Sequence, residues 1–159
     1  MIILGIDPGT AALGYGVISG DRDNLRVVRF GCIKTKKSQP MPLRLQQLYK
    51  EVKKVIDKYQ PDCLAVEEIF FAKNSKTALK IGQARGVILL LGAECRIPVV
   101  DYTPLQVKQT ITTYGRAGKE QVQRMVQLLL KLKEIPKPDD AADALAIAIC
   151  HMFNTKNEG

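Results

Sequence analysis

Four carboxylates stand in this chain where burial would be costly unless something compensates them. Asp7 ends the apolar run Ile2-Ile-Leu-Gly-Ile6, and Pro8-Gly9 then stops the strand and turns the chain. Glu67 ends a second such run, Cys63-Leu-Ala-Val66. Asp140 and Asp143 lie three residues apart near the start of an alanine-rich helix, so they share one flank of it. A carboxylate at a buried strand end needs a metal ion, a basic partner or hydrogen-bond donors to offset its lost hydration. If the two strands are neighbours, Asp7 and Glu67 fall at one sheet edge, and the helix can deliver Asp140 and Asp143 to the same place. Four carboxylates so placed repel one another and take up protons near neutral pH. Two divalent cations would neutralise them, and all-oxygen donors suit Mg2+, with Mn2+ as a substitute. Ions held roughly 3.5–4 Å apart activate a water and stabilise the leaving oxygen of a phosphodiester.

Each acid also has a plainer reading. Asp7 suits a turn before Pro-Gly, and Glu67 suits a strand end that faces water. Asp139 or Asp140 could cap the helix N-terminus, with Asp143 favoured in its first turns by the helix dipole. Only convergence of all four separates a metal site from these alternatives.

The elements that must position them follow from periodicity. Strands are expected at 2–6, 14–20 and 25–35, joined by turns short enough for an antiparallel meander. An amphipathic helix over 43–59 carries Leu45, Leu48, Val52, Val55, Ile56 and Tyr59 at three- and four-residue steps. A strand at 63–67, a helix over 77–96 and a strand at 98–102 come next. Helices from about 104, over 119–132 and over 139–153 complete the chain, with a polar tail from about 154. This pattern predicts an α/β fold: one five-stranded mixed sheet, three antiparallel strands then two parallel, flanked by helices. At 159 residues the expectation is a single domain spanning 1–159. Val87-Ile-Leu-Leu-Leu91 leaves the second helix no polar face, so one side should pack on the sheet and the other on a second subunit.

Composition is that of a soluble globular protein, with 46% hydrophobic and 25% charged residues. The 24 Lys and Arg exceed the 16 Asp and Glu by 8, which favours a polyanionic partner, nucleic acid being the commonest. The N-terminus reads as neither signal peptide nor membrane span. Four scattered cysteines and one histidine, His151, argue against a zinc site and for a reducing, cytoplasmic setting.

Six stretches together carry a family resemblance: ILGIDPGT at 3–10, GYGV at 14–17, AVEEIF at 65–70, ALKIGQARG at 78–86, QVKQT at 106–110 and DAADALAIA at 140–148. In order and spacing the chain resembles the RuvC family of bacterial Holliday-junction resolvases along essentially its whole length. The resemblance implies an RNase H-like fold, a homodimer, and Mg2+-dependent cutting of two opposed strands of a four-way DNA junction. It also implies a branch-migration complex, RuvA and RuvB, as partner. Carried over by motif, Asp7, Glu67, Asp140 and Asp143 are the metal-binding acids. The Asp-x-x-Asp-Ala spacing selects Asp140 over Asp139, and some family members have His at that position. Phe70 matches the aromatic that stacks on or unpairs a base near the cut. Lys108 and Lys119 match lysines that contact DNA, and Lys119 is placed with the catalytic set. Arg85 and Lys73 are further phosphate-contact candidates. Val87, Leu89 and Leu90 fall where the family dimerises. An actin-like ATPase would share the Asp-Pro-Gly-Thr turn but needs a second lobe. A non-catalytic junction binder would not need all four acids, and an RNA nuclease would not need the junction motifs.

Overall fold

The computed structural model describes residues 1–69 and 74–155. Three strands come first: β1 (Ile2–Asp7), β2 (Ala12–Ser19) and β3 (Arg26–Lys34), antiparallel in sequence order. Helix α1 (Met41–Tyr59) crosses to β4 (Cys63–Glu67), and α2 (Ser75–Glu94) crosses to β5 (Val99–Tyr102). Both later strands join in parallel, β4 against β1 and β5 against β4, giving the order β3-β2-β1-β4-β5. The mixed sheet is therefore the one the sequence predicts, with β1 at its centre. Helices α3 (Pro104–Thr112), α4 (Lys119–Leu129) and α5 (Asp139–Asn154) follow.

The alternation of β1 sends its side chains to two cores. Ile3 meets Leu145, Ile149, Val107 and Val126 on the face covered by α3, α4 and α5. Leu4 and Ile6 meet Leu48, Val52, Ile88 and Leu91 on the face covered by α1 and α2. Complete burial of each such side chain contributes about 1.5–3 kcal/mol. Tyr102 Oη and His151 Nδ1 are hydrogen-bonded at 2.8 Å within the first core, so the single histidine is a packing residue.

Element ends differ from expectation where local hydrogen bonds decide them. Helix α2 starts two residues early because the Asn74 side chain accepts from the N–H groups of Lys76 and Thr77. Helix α4 stops at Leu129 rather than 132, ahead of Lys131, which takes a φ of 54°. On α2, Ile88 and Leu91 are wholly buried whereas Leu89 and Leu90 are 41% and 53% exposed, so the apolar outer face is real and uncovered in the single chain. Among the described residues no helix is long and apolar enough to cross a membrane.

Helix α5 sits unusually close to the sheet. Its inner face is built from Ala141, Ala144, Leu145 and Ala148, and the strands beneath offer Gly5, Gly14 and Gly16. A Cβ at Gly5 would lie 2.0 Å from the Ala144 carbonyl oxygen, and one at Gly14 would lie 1.9 Å from that of Asp140. The helix backbone therefore rests directly on β1 and β2, which fixes how far its first turn reaches over Asp7.

Candidate active site

Asp7 and Glu67 end the two parallel central strands, one residue past the last registered pair, Ile6 with Val66. Parallel neighbours end at the same edge, so the two carboxylates stand side by side. Across the antiparallel pairing Asp7 is opposite Gly14, and the missing side chain there lets the first turn of α5 descend onto the same edge. Oxygens of Asp7, Asp140 and Asp143 consequently all lie within 4.8 Å of one another. Glu67 stands beside this trio, next to Asp7.

The charges behave as a compressed acidic cluster. Burial, then the adjacent Glu67 charge, then Asp143 and Asp140, push the Asp7 carboxyl far above the ordinary range. Burial likewise raises Glu67, against the pull of Lys119 and Lys108. It raises Asp143 too, although Lys119 opposes it. Such a cluster holds protons or cations, and among the described residues one lysine touches it. The Lys119 ammonium, at the first position of α4, lies 3.6 Å from Asp143 Oδ2 and 3.4 Å from Asp139 Oδ2.

Asp139 and Asp140 both occupy the first turn of α5, after Pro138, so neither is the cap. They diverge: Asp139 accepts from Gln123 Nε2 at 3.0 Å and pairs with Lys119, while Asp140 points to Asp7. Of the two, Asp140 is the one whose oxygen joins those of Asp7 and Asp143. Lys108 on α3 and Lys119 both line a cleft of about 230 Å³, whose walls also include Glu67, Asp143, Val107, Val122 and Ile147. Arg85 is held elsewhere: its guanidinium makes a bidentate pair with Asp101 of β5 at 2.7 and 2.8 Å. Phe70 and Lys73 lie outside the described residues.

Two neighbours escape sequence reasoning. The Cys32 thiol, on β3 opposite Gly14, donates to Asp140 Oδ2 at 3.9 Å. Burial and that carboxylate both raise its pKa. No local pattern around Cys32 could signal this, because the contact depends on β-register. Asp139 was visible only as a competitor to Asp140, yet it anchors Lys119.

The donor set fits hard divalent cations. All four acids offer oxygens, no imidazole is nearby, and their mutual repulsion is what an added cation would relieve.

Comparison with known proteins gives one answer. The family model for crossover junction endodeoxyribonuclease RuvC matches residues 3–151. The RuvC of Desulforamulus reducens is 58% identical over 151 residues, 95% of this chain and 93% of the relative. That of Caldicellulosiruptor saccharolyticus is 53% identical over 158 residues, 99% of this chain and 95% of the relative. Thermus thermophilus RuvC in complex with a Holliday junction substrate superimposes with a TM-score of 0.92 at 40% identity, covering 96% of this chain and 93% of that one. Ydc2, the yeast mitochondrial Holliday junction resolvase, shares the fold at 16% identity, with a TM-score of 0.66 over 95% of this chain and 78% of its own.

Proposed function

The chain belongs to the RuvC family of crossover junction endodeoxyribonucleases, and on that premise we propose how its site cuts a four-way DNA junction. The observation that carries the reading is the meeting of Asp7, Asp140 and Asp143 oxygens at the edge where Glu67 also ends. Asp7, Glu67, Asp140 and Asp143 would hold two Mg2+ ions, for which Mn2+ can substitute. When bound, such ions supply activation of a water and stabilisation of the leaving oxygen. The products are a 5′-phosphate and a 3′-hydroxyl.

The remaining roles belong to the chain itself. Lys119 neutralises Asp143 in the free site and turns its ammonium to a non-bridging oxygen of the reacting phosphate as charge develops there. Lys108, lining the same cleft, holds the strand by a phosphate. Phe70, three residues beyond Glu67, stacks on a base beside the cut. Lys73 offers a further phosphate contact, and Arg85 would do so only by sharing its guanidinium with Asp101. The whole span 1–159 works as one RNase H-like nuclease domain. Two copies join through Val87, Leu89 and Leu90, which gives one site for each of two opposed strands. The partners are the junction, the second subunit and the RuvA and RuvB branch-migration proteins, in the cytoplasm.

The test is incubation with a synthetic four-way junction. Paired, symmetric nicks with Mg2+, none with chelator, and none from Asp7→Asn despite retained junction binding are expected. An Asp7→Asn protein that cuts like the parent would remove the metal site from this edge.

A further inference from the structure

On the opposite face of the sheet from Lys108 and Lys119, a second cavity opens against the turn that follows Asp7. It measures about 490 Å³, and its walls include Gly9, Thr10, Lys37, Arg44, Thr77 and Lys80. Arg44 is the unusual member. It is only 7% exposed, yet among the described residues no carboxylate pairs with it. Arginine is rarely buried to this degree without an acidic partner, because desolvating its charge is costly.

The one hydrogen bond of its side chain among the described residues runs from Nε to Thr35 Oγ1 at 2.8 Å. Thr35 in turn donates to the Thr10 carbonyl. That chain ties the guanidinium to the turn after Asp7 and leaves both Nη groups for the cavity that Arg44 lines. Lys37 and Lys80 are exposed at the same cavity, and neither has an ion-pair partner among the described residues. Three cations with no counter-charge repel one another, and an anion is the group that would relieve them. Helix α2 adds the positive end of its dipole and the Thr77 hydroxyl, but the backbone N–H of Thr77 is already taken by Asn74. The side chains, not the helix end, define the site.

We propose that this cavity is a phosphodiester subsite, which holds one backbone phosphate of the bound DNA away from the reacting one. The identification of the anion as a strand phosphate rests on the nuclease reading above. The site itself does not. Lys108 and Lys119 lie on the α3 and α4 side of the carboxylate edge, and Arg44 and Lys80 on the α1 and α2 side. A strand crossing that edge is then gripped on both sides of Asp7. At about 490 Å³ the cavity has room for a group much larger than a single water, which occupies about 30 Å³ in the liquid.

The experiment compares the parent with a Lys37→Gln, Lys80→Gln double variant and with Arg44→Gln. Binding to a labelled four-way junction is followed in chelator at several salt concentrations. Loss of one phosphate contact lowers the slope of log affinity against log salt by about 0.9, so between roughly 50 and 200 mM salt the parent should lose about 3.5-fold more affinity than the double variant. Arg44→Gln should show the same change in slope, and the exposed pair decides the matter if that variant does not fold. Unchanged affinity and slope in the double variant, with a parent that binds and cuts, would overturn the inference and leave the nuclease reading standing. A double variant that turns monomeric by light scattering would also overturn it, by assigning the cavity to a carboxylate of a second copy. If the parent binds no junction, the nuclease reading fails, and inorganic phosphate becomes the probe. Amide shifts at Gly9 and Thr10 that the double variant abolishes would sustain an anion site, and their absence in the parent would refute it.

Discussion

Substituting Gly14 by alanine should disable the site without unfolding the protein. A Cβ at Gly14 would lie 1.9 Å from the Asp140 carbonyl oxygen and 2.4 Å from its carbon, where 3.4 Å is the near limit of ordinary contact. The first turn of α5 must therefore recede by 3.4 − 1.9 = 1.5 Å at the residue that supplies one carboxylate. Metal–ligand distances tolerate only about 0.2 Å, and a displacement near 1 Å at reacting groups can cost about 100-fold in rate. Overpacking of this kind costs about 1–3 kcal/mol, well inside the roughly 5–15 kcal/mol available to a domain. At this chain length that lowers the melting temperature by about 2–12 °C. The assay is single-turnover cleavage of a four-way junction at saturating Mg2+, with melting followed by circular dichroism and junction affinity measured in chelator. Cleavage should fall about 100-fold or more while affinity stays near the parent's. A folded Gly14→Ala protein that cuts within threefold of the parent would refute the claim that the close approach of α5 to β2 sets the geometry of the acids.

In metal-free protein the raised carboxyls of Asp7 and Asp143 keep protons that the unfolded chain releases near pH 4. The folded state then binds more protons, so unfolding free energy should fall as pH rises above about 4. Asp7→Asn should flatten that fall and remove the stabilisation that Mg2+ gives the parent at pH 8, both read from melting curves. Lys119→Gln should slow single-turnover cutting by about 10²–10³-fold, far more than it lowers junction affinity, because it removes a charge aimed at the reacting phosphate. Leu89→Glu should convert a dimer into a monomer in light scattering, and a persistent dimer would move the interface off the outer face of α2. Phe70→Ala should reduce the cutting rate more than the affinity, and an unchanged rate would take Phe70 out of the cut.

How much of this was legible in the sequence depends on how local each determinant is. The strands ending at Asp7 and Glu67 announce themselves, because a continuous apolar run broken by one acid and a turn has few other readings. The pairing of those strands is not local: a connection through a helix such as α1 allows a parallel crossover, and the register of β4 against β1 is what brings the two acids to one edge. Asp140 and Asp143 were separable from Asp139 by helical spacing together with the family motif, and the structure adds the reason that Asp139 is spent on Lys119 and Gln123. What stayed hidden arises from register and depth. Cys32 meets Asp140 only because β3 pairs with β2 at Gly14. Arg85 reads as a phosphate-contact candidate, and only the placement of β5 shows that Asp101 pairs with it. Arg44 falls between the apolar positions of α1, and nothing in the residues near it indicates that it bonds Thr35, which in turn bonds the Thr10 carbonyl. The glycines explain the difference in kind. Gly5, Gly14 and Gly16 read as unremarkable strand residues, and their meaning lies in the helix that returns over a hundred residues later to rest on them. A carboxylate can be recognised from its own neighbours, but the space that lets it converge with others belongs to residues distant in the chain.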